Sequence, residues 1–230
     1  MNLNLSVLDQ LKAGDLTRFP VEYRDFLLRK ISEFYANGWH VWELRQIEDK
    51  NLRDHYAHVI SQITKIREYR ILPKTPGDIL VKETMIIVTD KNRDLIAFCG
   101  RGRVEMSSRP ALPVILTARN SEIGTLYTSD SKGETGDYKY RNHGLAKFLT
   151  ALLVGYAQAD GADAVFFANE NSIRVAEFLN FQEITESENL KTHQIADPLL
   201  ELCLTDCQHY HDRPKESICC DKIMIKKVGN

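Results

Sequence analysis

The residues with the clearest chemical use form a short basic turn, which reads Arg141-Asn142-His143-Gly144-Leu145-Ala146. The first backbone N–H groups of a helix have no intrahelical partner, and they lie at the positive end of the helix dipole. A glycine before them lets a bulky anion approach the backbone, and an arginine adds charge. The turn therefore predicts a phosphate or pyrophosphate site, provided that a strand precedes it and a helix follows it.

Periodicity predicts both neighbours of this turn. Residues 121–128 are rich in β-branched and aromatic types, and they predict a strand. After the turn, apolar residues recur at 145, 148, 149, 152, 156 and 159, which is one face of an α-helix that stops near Gly161. The apolar run 164–168 predicts a strand buried in a parallel sheet, and 169–179 predicts a second, short helix. The turn thus lies between a predicted strand and a predicted helix.

The order of strand, basic turn, long amphipathic helix, buried strand and short helix resembles the GNAT superfamily of acyl-CoA-dependent N-acyltransferases. The family's closing motif is similar to N-x-x-A-x-x-L-Y-x-x-x-G-F, and it falls on Asn169, Ser172, Val175, Ala176, Asn180 and Phe181. Asn180 replaces the glycine with another residue that tolerates a left-handed helix end, whereas Ala176 replaces the usual tyrosine. The resemblance covers about 40–228. The alternative is an unrelated α/β domain with a chance phosphate-binding turn.

The resemblance implies an α/β (α+β) fold. We expect a mixed, mostly antiparallel sheet with helices on both faces, splayed between its fourth and fifth strands. The GNAT-like domain is expected over 39–230, preceded by an N-terminal helical extension over 1–38. The implied activity moves an acetyl or related acyl group from acyl-CoA, the co-substrate, to a primary amine of a small molecule or peptide. The amine would attack the thioester directly.

The resemblance also implies which residues hold the coenzyme. The pantetheine arm would pair with the backbone of the fourth strand, near Leu126, Tyr127 and Thr128, and a strand N–H would polarise the thioester carbonyl. The phosphates would lie at the turn 141–146, where His143 is expected to be exposed, although its N–H could reach a phosphate. Asn169, which opens the closing motif, is assigned to coenzyme binding as well.

Acyl transfer to an amine also needs a base, and Glu122 is the first candidate. The Glu-Ile pair that opens the strand resembles the catalytic glutamate position of some family members. A carboxylate at the edge of an apolar cleft would have a raised pKa and could accept the ammonium proton, directly or through water. The alternative is a structural Glu122 that faces solvent or pairs with an arginine. With Ala176 in place of the tyrosine, the usual general acid is missing. Water could then supply the proton to the leaving thiolate, or the protein could be a non-catalytic acyl-CoA sensor.

A second cluster of reactive side chains lies near the C-terminus: Cys203, Cys207, His209, His211, Cys219 and Cys220. Four such ligands could surround a zinc ion, but the spacing C-x3-C-x-H-x-H matches no zinc motif. Alternation along strands explains Cys203 and Cys219 equally well. We therefore predict no metal site.

Composition limits the class of protein. The chain has 230 residues, of which 43% are hydrophobic, and its net charge is −2. It therefore lacks the excess of positive charge that is typical of proteins that bind nucleic acids or anionic membranes. Its apolar runs are shorter than the ~18–20 residues that a membrane span needs. Five unevenly spread cysteines and the lack of a secretory pattern at residues 1–4 predict a reducing cytoplasm. The expected partner is a small-molecule or peptide amine, and the protein could also form a homodimer.

The remaining elements follow from the same rules. Tyr23, Leu27, Ile31 and Phe34 predict an amphipathic helix that ends near residues 37–38, most simply packed on the core. Further predictions are a strand over 39–47, a helix with apolar residues at 52, 56, 59, 63 and 66, a loop over 74–78, a hairpin of 85–89 with 95–104, and closing strands over 199–207 and 218–228. Arg101 and Arg103 are expected to face solvent, although they could instead line the acceptor cleft.

Overall fold

Strands and helices account for most of the residues that the structure, a computed structural model, describes: 6–66, 69, 71, 73–103, 120–133, 136–183 and 222–227. The helices are α1 (Val7–Lys12), α2 (Val21–Ala36), α3 (Lys50–Thr64), α4 (Pro76–Val81), α5 (Leu145–Ala159) and α6 (Glu170–Phe178). The strands are β1 (His40–Glu43), β2 (Thr84–Thr89), β3 (Leu95–Arg103), β4 (Ser121–Thr128), β5 (Ala164–Ala168), β6 (Gln182–Glu183) and β7 (Lys222–Lys226).

The strands form one sheet in the order β1-β2-β3-β4-β5-β7-β6. Neighbours in this order are antiparallel, except that β4 and β5 are parallel. The parallel pair spans only residues 121–123 of β4 and 164–166 of β5, although β4 continues to Thr128. The two strands therefore diverge beyond Ile123. The predicted mixed, mostly antiparallel sheet with a splay between its fourth and fifth strands is confirmed.

Helices cover both faces of this sheet, as predicted. Leu27 of α2 and Phe148 of α5 are buried on one face together with Val88 of β2. Ile60 of α3 is buried on the other face together with Ile87, the neighbour of Val88. Successive strand residues point to opposite faces, so the sheet separates two apolar cores.

The N-terminal helices pack on the same face as α5. Phe19, between α1 and α2, is fully buried, and its ring lies against Gly155 of α5. The hydroxyl of Tyr23 donates a hydrogen bond to the carbonyl of Leu179. The backbone N–H of Leu8 donates to the hydroxyl of Tyr156, at 3.2 Å. Residues of the N-terminal segment thus belong to one core with the sheet.

Two boundaries differ from the prediction. The strand expected over 39–47 ends at Glu43 and is followed by a 3₁₀ turn at Leu44–Gln46, because Asp49 already caps α3. The loop expected over 74–78 is wrong, since α4 begins there. Thr75 and Asp78 form a capping box, in which the Asp78 N–H donates to the Thr75 hydroxyl and the Thr75 N–H donates to the Asp78 carboxylate. A proline at the first helical position supports this start.

The expectation that Arg101 faces solvent is also wrong. Arg103 is exposed, with 78% of its side chain accessible, but the Arg101 side chain is only 6% exposed. Its Nη1 lies 2.6 Å from the Asp160 carboxylate and donates to the Ser121 hydroxyl at 3.3 Å. Asp160 is the C-cap of α5, so this end of the helix covers Arg101. A cation is stabilised there because the C-terminal end of a helix is negative.

The C-terminal part of the chain contributes β6 and β7 to the described sheet. The second predicted closing strand, over 218–228, overlaps β7, which pairs antiparallel with β5. The first predicted closing strand, over 199–207, lies outside the described residues.

Candidate functional site

The basic turn lies at the N-terminus of α5, as predicted. Gly144 is the N-cap and has φ +79, in the left-handed region that favours glycine. The first helical bond runs from the Phe148 N–H to the Gly144 carbonyl, at 2.9 Å. No side chain from the described part of the chain caps this helix. The N–H groups of residues 145–147 are therefore the natural donors to an anion.

The side chains of the turn have different surroundings. Arg141, Asn142 and His143 are exposed, while Leu145 is buried in the core, so that only its N–H could contact a ligand. Ala146 is half-buried and small. The Arg141 guanidinium lies 4.0 Å from the centre of the Tyr138 ring, and the His143 ring contacts Trp39 edge to face at 5.1 Å. The turn thus presents one cation and an imidazole outward.

A buried carboxylate fixes the segment that leads into the turn. The Tyr140 hydroxyl donates to Asp90 at 3.0 Å, and the other Asp90 oxygen accepts the N–H groups of Asn92 and Asp94. Burial alone would raise the pKa of Asp90, but these hydrogen bonds outweigh burial and hold that pKa below its usual value. The ionised carboxylate therefore ties the β2–β3 hairpin to the turn.

A β-bulge interrupts β4 beyond its last pair with β5. Cys99 of β3 faces two β4 residues, Thr125 and Leu126, and Thr125 has φ +57. The extra residue reverses the alternation of side chains, so Ile123 belongs to the core under α5 and Tyr127 to the core under α3. The edge of β4 between the bulge and its end has no ladder partner in β5. An extended ligand could add to this edge as a strand would.

The predicted pantetheine residues lie on this edge. Leu126 packs on the core under α5, whereas Tyr127 is buried on the opposite face, where its ring stacks on Phe98 at 5.1 Å and contacts Tyr69 at 4.9 Å. The Tyr127 side chain is therefore engaged in the core, and the backbone groups of this edge are the ones with which an extended ligand could pair. The Thr128 hydroxyl oxygen is buried and has no hydrogen-bond partner among the described residues. A polar group of a bound ligand would satisfy it.

Asn169 directly follows the C-terminal end of β5, on the other side of the splay from β4. Its side-chain oxygen accepts the Ser172 N–H at 3.1 Å, and its own N–H donates to the Ser172 hydroxyl at 2.9 Å. Asn169 therefore acts as a cap of α6. Ala176, at the family's tyrosine position, is fully buried in the core. A side chain at that position faces the protein interior, which accounts for a small apolar residue.

Glu122 lies at the other end of β4. It is half-buried, and it projects to the face opposite Ile123, where Gly102 is its cross-strand neighbour. A Cβ added to Gly102 would lie 4.0 Å from the Lys82 Nζ, so this part of the sheet is both open and polar. Thr128 is six residues further along β4, about 20 Å at ~3.3 Å per residue. Asp160 at the C-terminal end of α5 contacts Arg101, the cross-strand partner of Ile123, so Glu122 lies at the opposite end of α5 from the turn. Only an extended ligand could reach both.

A different carboxyl group has a perturbed pKa. Glu43 accepts a hydrogen bond from the Tyr156 hydroxyl at 2.6 Å, and the same hydroxyl accepts the backbone N–H of Leu8. Burial raises the pKa of Glu43, and the bond from Tyr156 offsets part of this shift. Tyr156 is eleven residues after Leu145, or ~17 Å along the helix. This pair therefore belongs to the packing of the N-terminal segment, and lies away from the turn.

Two features near the candidate site, the position of Lys30 and the bulge in β4, were not predicted, although each has a sign in the sequence. Lys30 falls at a helical spacing from the apolar residues Leu27 and Phe34, and its side chain lies against Gly144. Gly124 interrupts a strand pattern, which is a signal for a bulge, and the bulge follows directly after it.

The described residues contain no group of three or more His, Cys, Asp or Glu that could hold a metal ion. The cysteine and histidine cluster of 203–220 lies outside the residues that the structure describes. In the same described part of the chain, no helix has both the length and the apolar character to cross a bilayer.

No protein-family model and no curated protein matches the chain. Among solved structures it is similar to an acetyltransferase of the GNAT family from Staphylococcus aureus, with 10% identity over 83% of this chain and 99% of that chain, at a TM-score of 0.45. It is also similar to a GNAT-family N-acetyltransferase from Escherichia coli in complex with CoA, with 13% identity over 84% and 83% of the two chains and a TM-score of 0.42.

A third structure is the N-acetyltransferase YlbP from Bacillus subtilis in complex with coenzyme A, with 16% identity over 64% of this chain and 86% of that chain, at a TM-score of 0.34. At such identities and TM-scores these likenesses identify neither substrate nor mechanism. The GNAT-like fold of the chain rests on its strand order, its one described parallel pair and the splay between β4 and β5.

Proposed function

We propose that the protein is an acyl-CoA-dependent N-acyltransferase, which moves an acetyl or related acyl group to a primary amine of a small molecule or peptide. One observation carries this proposal: the splay between β4 and β5 opens next to the uncapped N-terminus of α5. An unpaired strand edge and a set of unpaired helix N–H groups suit a ligand with an amide-containing arm and phosphates at one end. Acyl-CoA has both parts.

In the proposed complex the pyrophosphate accepts the N–H groups of residues 145–147, and Arg141 adds charge. The pantetheine arm runs along the free edge of β4 from Thr128 toward the bulge. Asn169 borders the arm on the side of β5. With this direction the thioester lies near Thr125, and Glu122 lies beyond it on the side from which an amine would enter.

The chemistry then follows from general requirements of acyl transfer. The neutral amine attacks the thioester carbonyl, and a backbone N–H at the bulge stabilises the oxyanion of the tetrahedral intermediate. Glu122 accepts the proton of the ammonium, directly or through water. The C–S bond breaks as the amide forms, and the CoA thiolate leaves. Water supplies its proton, because Ala176 offers no acidic group.

The test measures release of free CoA thiol from acetyl-, succinyl- and longer acyl-CoA with a panel of amines. Glu122→Gln keeps the shape of the side chain but cannot accept a proton. Turnover should fall by ~10²–10⁴, the usual worth of a general base, while acyl-CoA affinity stays within twofold. Glu183→Gln, which changes an exposed carboxylate on β6, is the matched control. Turnover of Glu122→Gln within threefold of wild type at every pH would exclude Glu122 as the base.

The alanine at position 176, which is buried in the core, favours one competing function, a non-catalytic acyl-CoA sensor. Without a tyrosine in that position, the family's usual acid is missing. Calorimetry separates the two functions when it is combined with the thiol assay. A sensor binds acyl-CoA but releases no thiol with any amine of the panel, whereas an enzyme does both.

A further inference from the structure

Lys30 occupies an unusual position on α2. Tyr23, Leu27 and Phe34 form the buried stripe of this helix, and Lys30 lies three residues after Leu27 and four before Phe34. Residues at these spacings share one helix face. Accordingly, the Lys30 side chain is only 14% exposed. Because a lysine is almost never fully buried unless it is paired, the groups around this largely buried cation decide what it can do.

The side chain of Lys30 lies against the basic turn. A Cβ added to Gly144 would be 3.1 Å from the Lys30 Cε and 3.7 Å from its Nζ. Gly144 caps the N-terminus of α5, which is the positive end of the helix dipole. A cation is unfavourable at that end. The partial burial of Lys30 and the positive end of α5 therefore make this an unfavourable place for a lone cation.

Glu33 compensates only part of this cost. Its carboxylate lies 2.5 Å from the Lys30 Nζ, but its side chain is 42% exposed, and its other oxygen pairs with Arg29 at 2.9 Å. Because this carboxylate is partly exposed to solvent and shared with Arg29, its attraction to Lys30 is weakened by solvent screening. An anion at the turn would instead be attracted by Lys30 and by the helix end together.

Packing fixes α2 in this position. The Phe26 ring, one helical turn before Lys30, contacts Phe178 of α6 edge to face at 5.5 Å. The Phe34 ring, one turn after Lys30, contacts Phe148 of α5 at 5.0 Å. Lys30 is thus held between two aromatic contacts, and its place at the turn does not depend on its pair with Glu33.

We propose that Lys30 binds a phosphate group of the coenzyme, so that α2 supplies a cation to the site from outside the residues that resemble the acyltransferase family. The inference rests on the proposed function, because the phosphate belongs to acyl-CoA. Bound phosphate removes both costs of the buried charge. It also gives the N-terminal helices a role in coenzyme recognition, in addition to their contribution to the core.

The experiment measures the affinity of the full chain for CoA and for pantetheine, which lacks the nucleotide and all phosphates. Lys30→Met keeps the apolar stem and removes the charge. CoA affinity should fall roughly tenfold to a hundredfold, the worth of a charge-assisted contact, while pantetheine affinity stays unchanged. The matched control is Arg29→Met, because Arg29 also pairs with Glu33 but is 59% exposed. This control should bind CoA within twofold of wild type.

The outcomes separate the inference from the function on which it rests. If wild type binds CoA and Arg141→Met weakens that binding, but Lys30→Met binds as wild type does, the turn holds the phosphates and the role of Lys30 is refuted. An equal loss for CoA and pantetheine in Lys30→Met also refutes it, because the effect then comes from the fold. If wild type binds neither compound, the proposed function itself fails, and the inference fails with it.

Discussion

Gly155, in the middle of α5, gives a direct test of how the N-terminal segment packs. A Cβ added at this position would lie 2.4 Å from two ring atoms of Phe19. Carbon atoms at optimal contact are ~3.5–4.0 Å apart, so the ring would have to move by more than ~1 Å. Phe19 is fully buried and cannot turn into solvent without losing that burial. Gly155→Ala should therefore destabilise the protein.

Two opposing terms set the size of this effect. Alanine favours a helix interior over glycine by ~1 kcal/mol. Overpacking of a well-packed core costs ~1–3 kcal/mol, and the complete burial of Phe19 argues for the upper part of this range. The expected net loss in the free energy of unfolding is ~1–2 kcal/mol. Phe19→Leu leaves space for the new methyl group, so in that background Gly155→Ala should be neutral or stabilising.

Urea unfolding of the four proteins of this double-mutant cycle measures the effect. The coupling between the two substitutions should be ~1–3 kcal/mol, the range of the overpacking cost. Gly77→Ala in α4 is the matched control, because a Cβ there meets its nearest atom at an ordinary 3.6 Å. If Gly155→Ala stabilised as much as Gly77→Ala, and the cycle were additive within ~0.5 kcal/mol, Phe19 would not be docked on α5.

Two further predictions concern the dependence of stability on pH. Burial raises the pKa of Glu43 despite the bond from Tyr156, so its contribution to stability is present below the unfolded pKa and is lost as pH rises through the folded pKa. As pH rises above about 4, the ordinary value for a glutamate in an unfolded chain, wild type should therefore lose stability relative to Glu43→Gln, and parallel urea midpoints would contradict this. The pKa of Asp90 is held below its usual value, so its contribution is present above the unfolded pKa and is lost as pH falls through the folded pKa. The stability advantage of wild type over Asp90→Asn should thus shrink on acidification below about pH 4, and a gap that stays constant in acid unfolding would refute the linkage.

The sequence predicts the elements around the turn well because their signals are local. The observed α5 begins at Leu145 and ends two residues before Gly161, where the apolar period stops. The strand of 164–168 has the predicted bounds. By contrast, the glycine and proline of residues 74–78 favour a loop, whereas the capping pair of Thr75 and Asp78 favours the helix that the structure has. Both signals are local, and the capping pair is the one that the fold obeys.

Other features depend on contacts that no local pattern contains. Alternation gives the face on which Arg101 lies, but only the packing of α5 shows that this face is covered. A single extra residue at Thr125 moves Tyr127 to the opposite core. The simple alternation of side chains along a strand does not predict this change of face. The contact of Lys30 with Gly144 joins parts of the chain that are distant in sequence. The motif therefore predicts the turn, and the tertiary structure supplies its surroundings.

Two of these long-range contacts lie at the two ends of helix α5. Each end has a cation beside it, but the helix dipole gives the two ends opposite charge. At the C-terminal end, the buried guanidinium of Arg101 lies beside the C-cap Asp160 and over the ring of Tyr156. That cation neutralises the negative end of the dipole. At the N-terminal end, Lys30 adds positive charge to a positive end that no described side chain caps. The negative end of the helix is therefore compensated by a cation, whereas its positive end at Gly144 is not capped by a described side chain. An anion bound at the turn, as proposed, would balance that positive end.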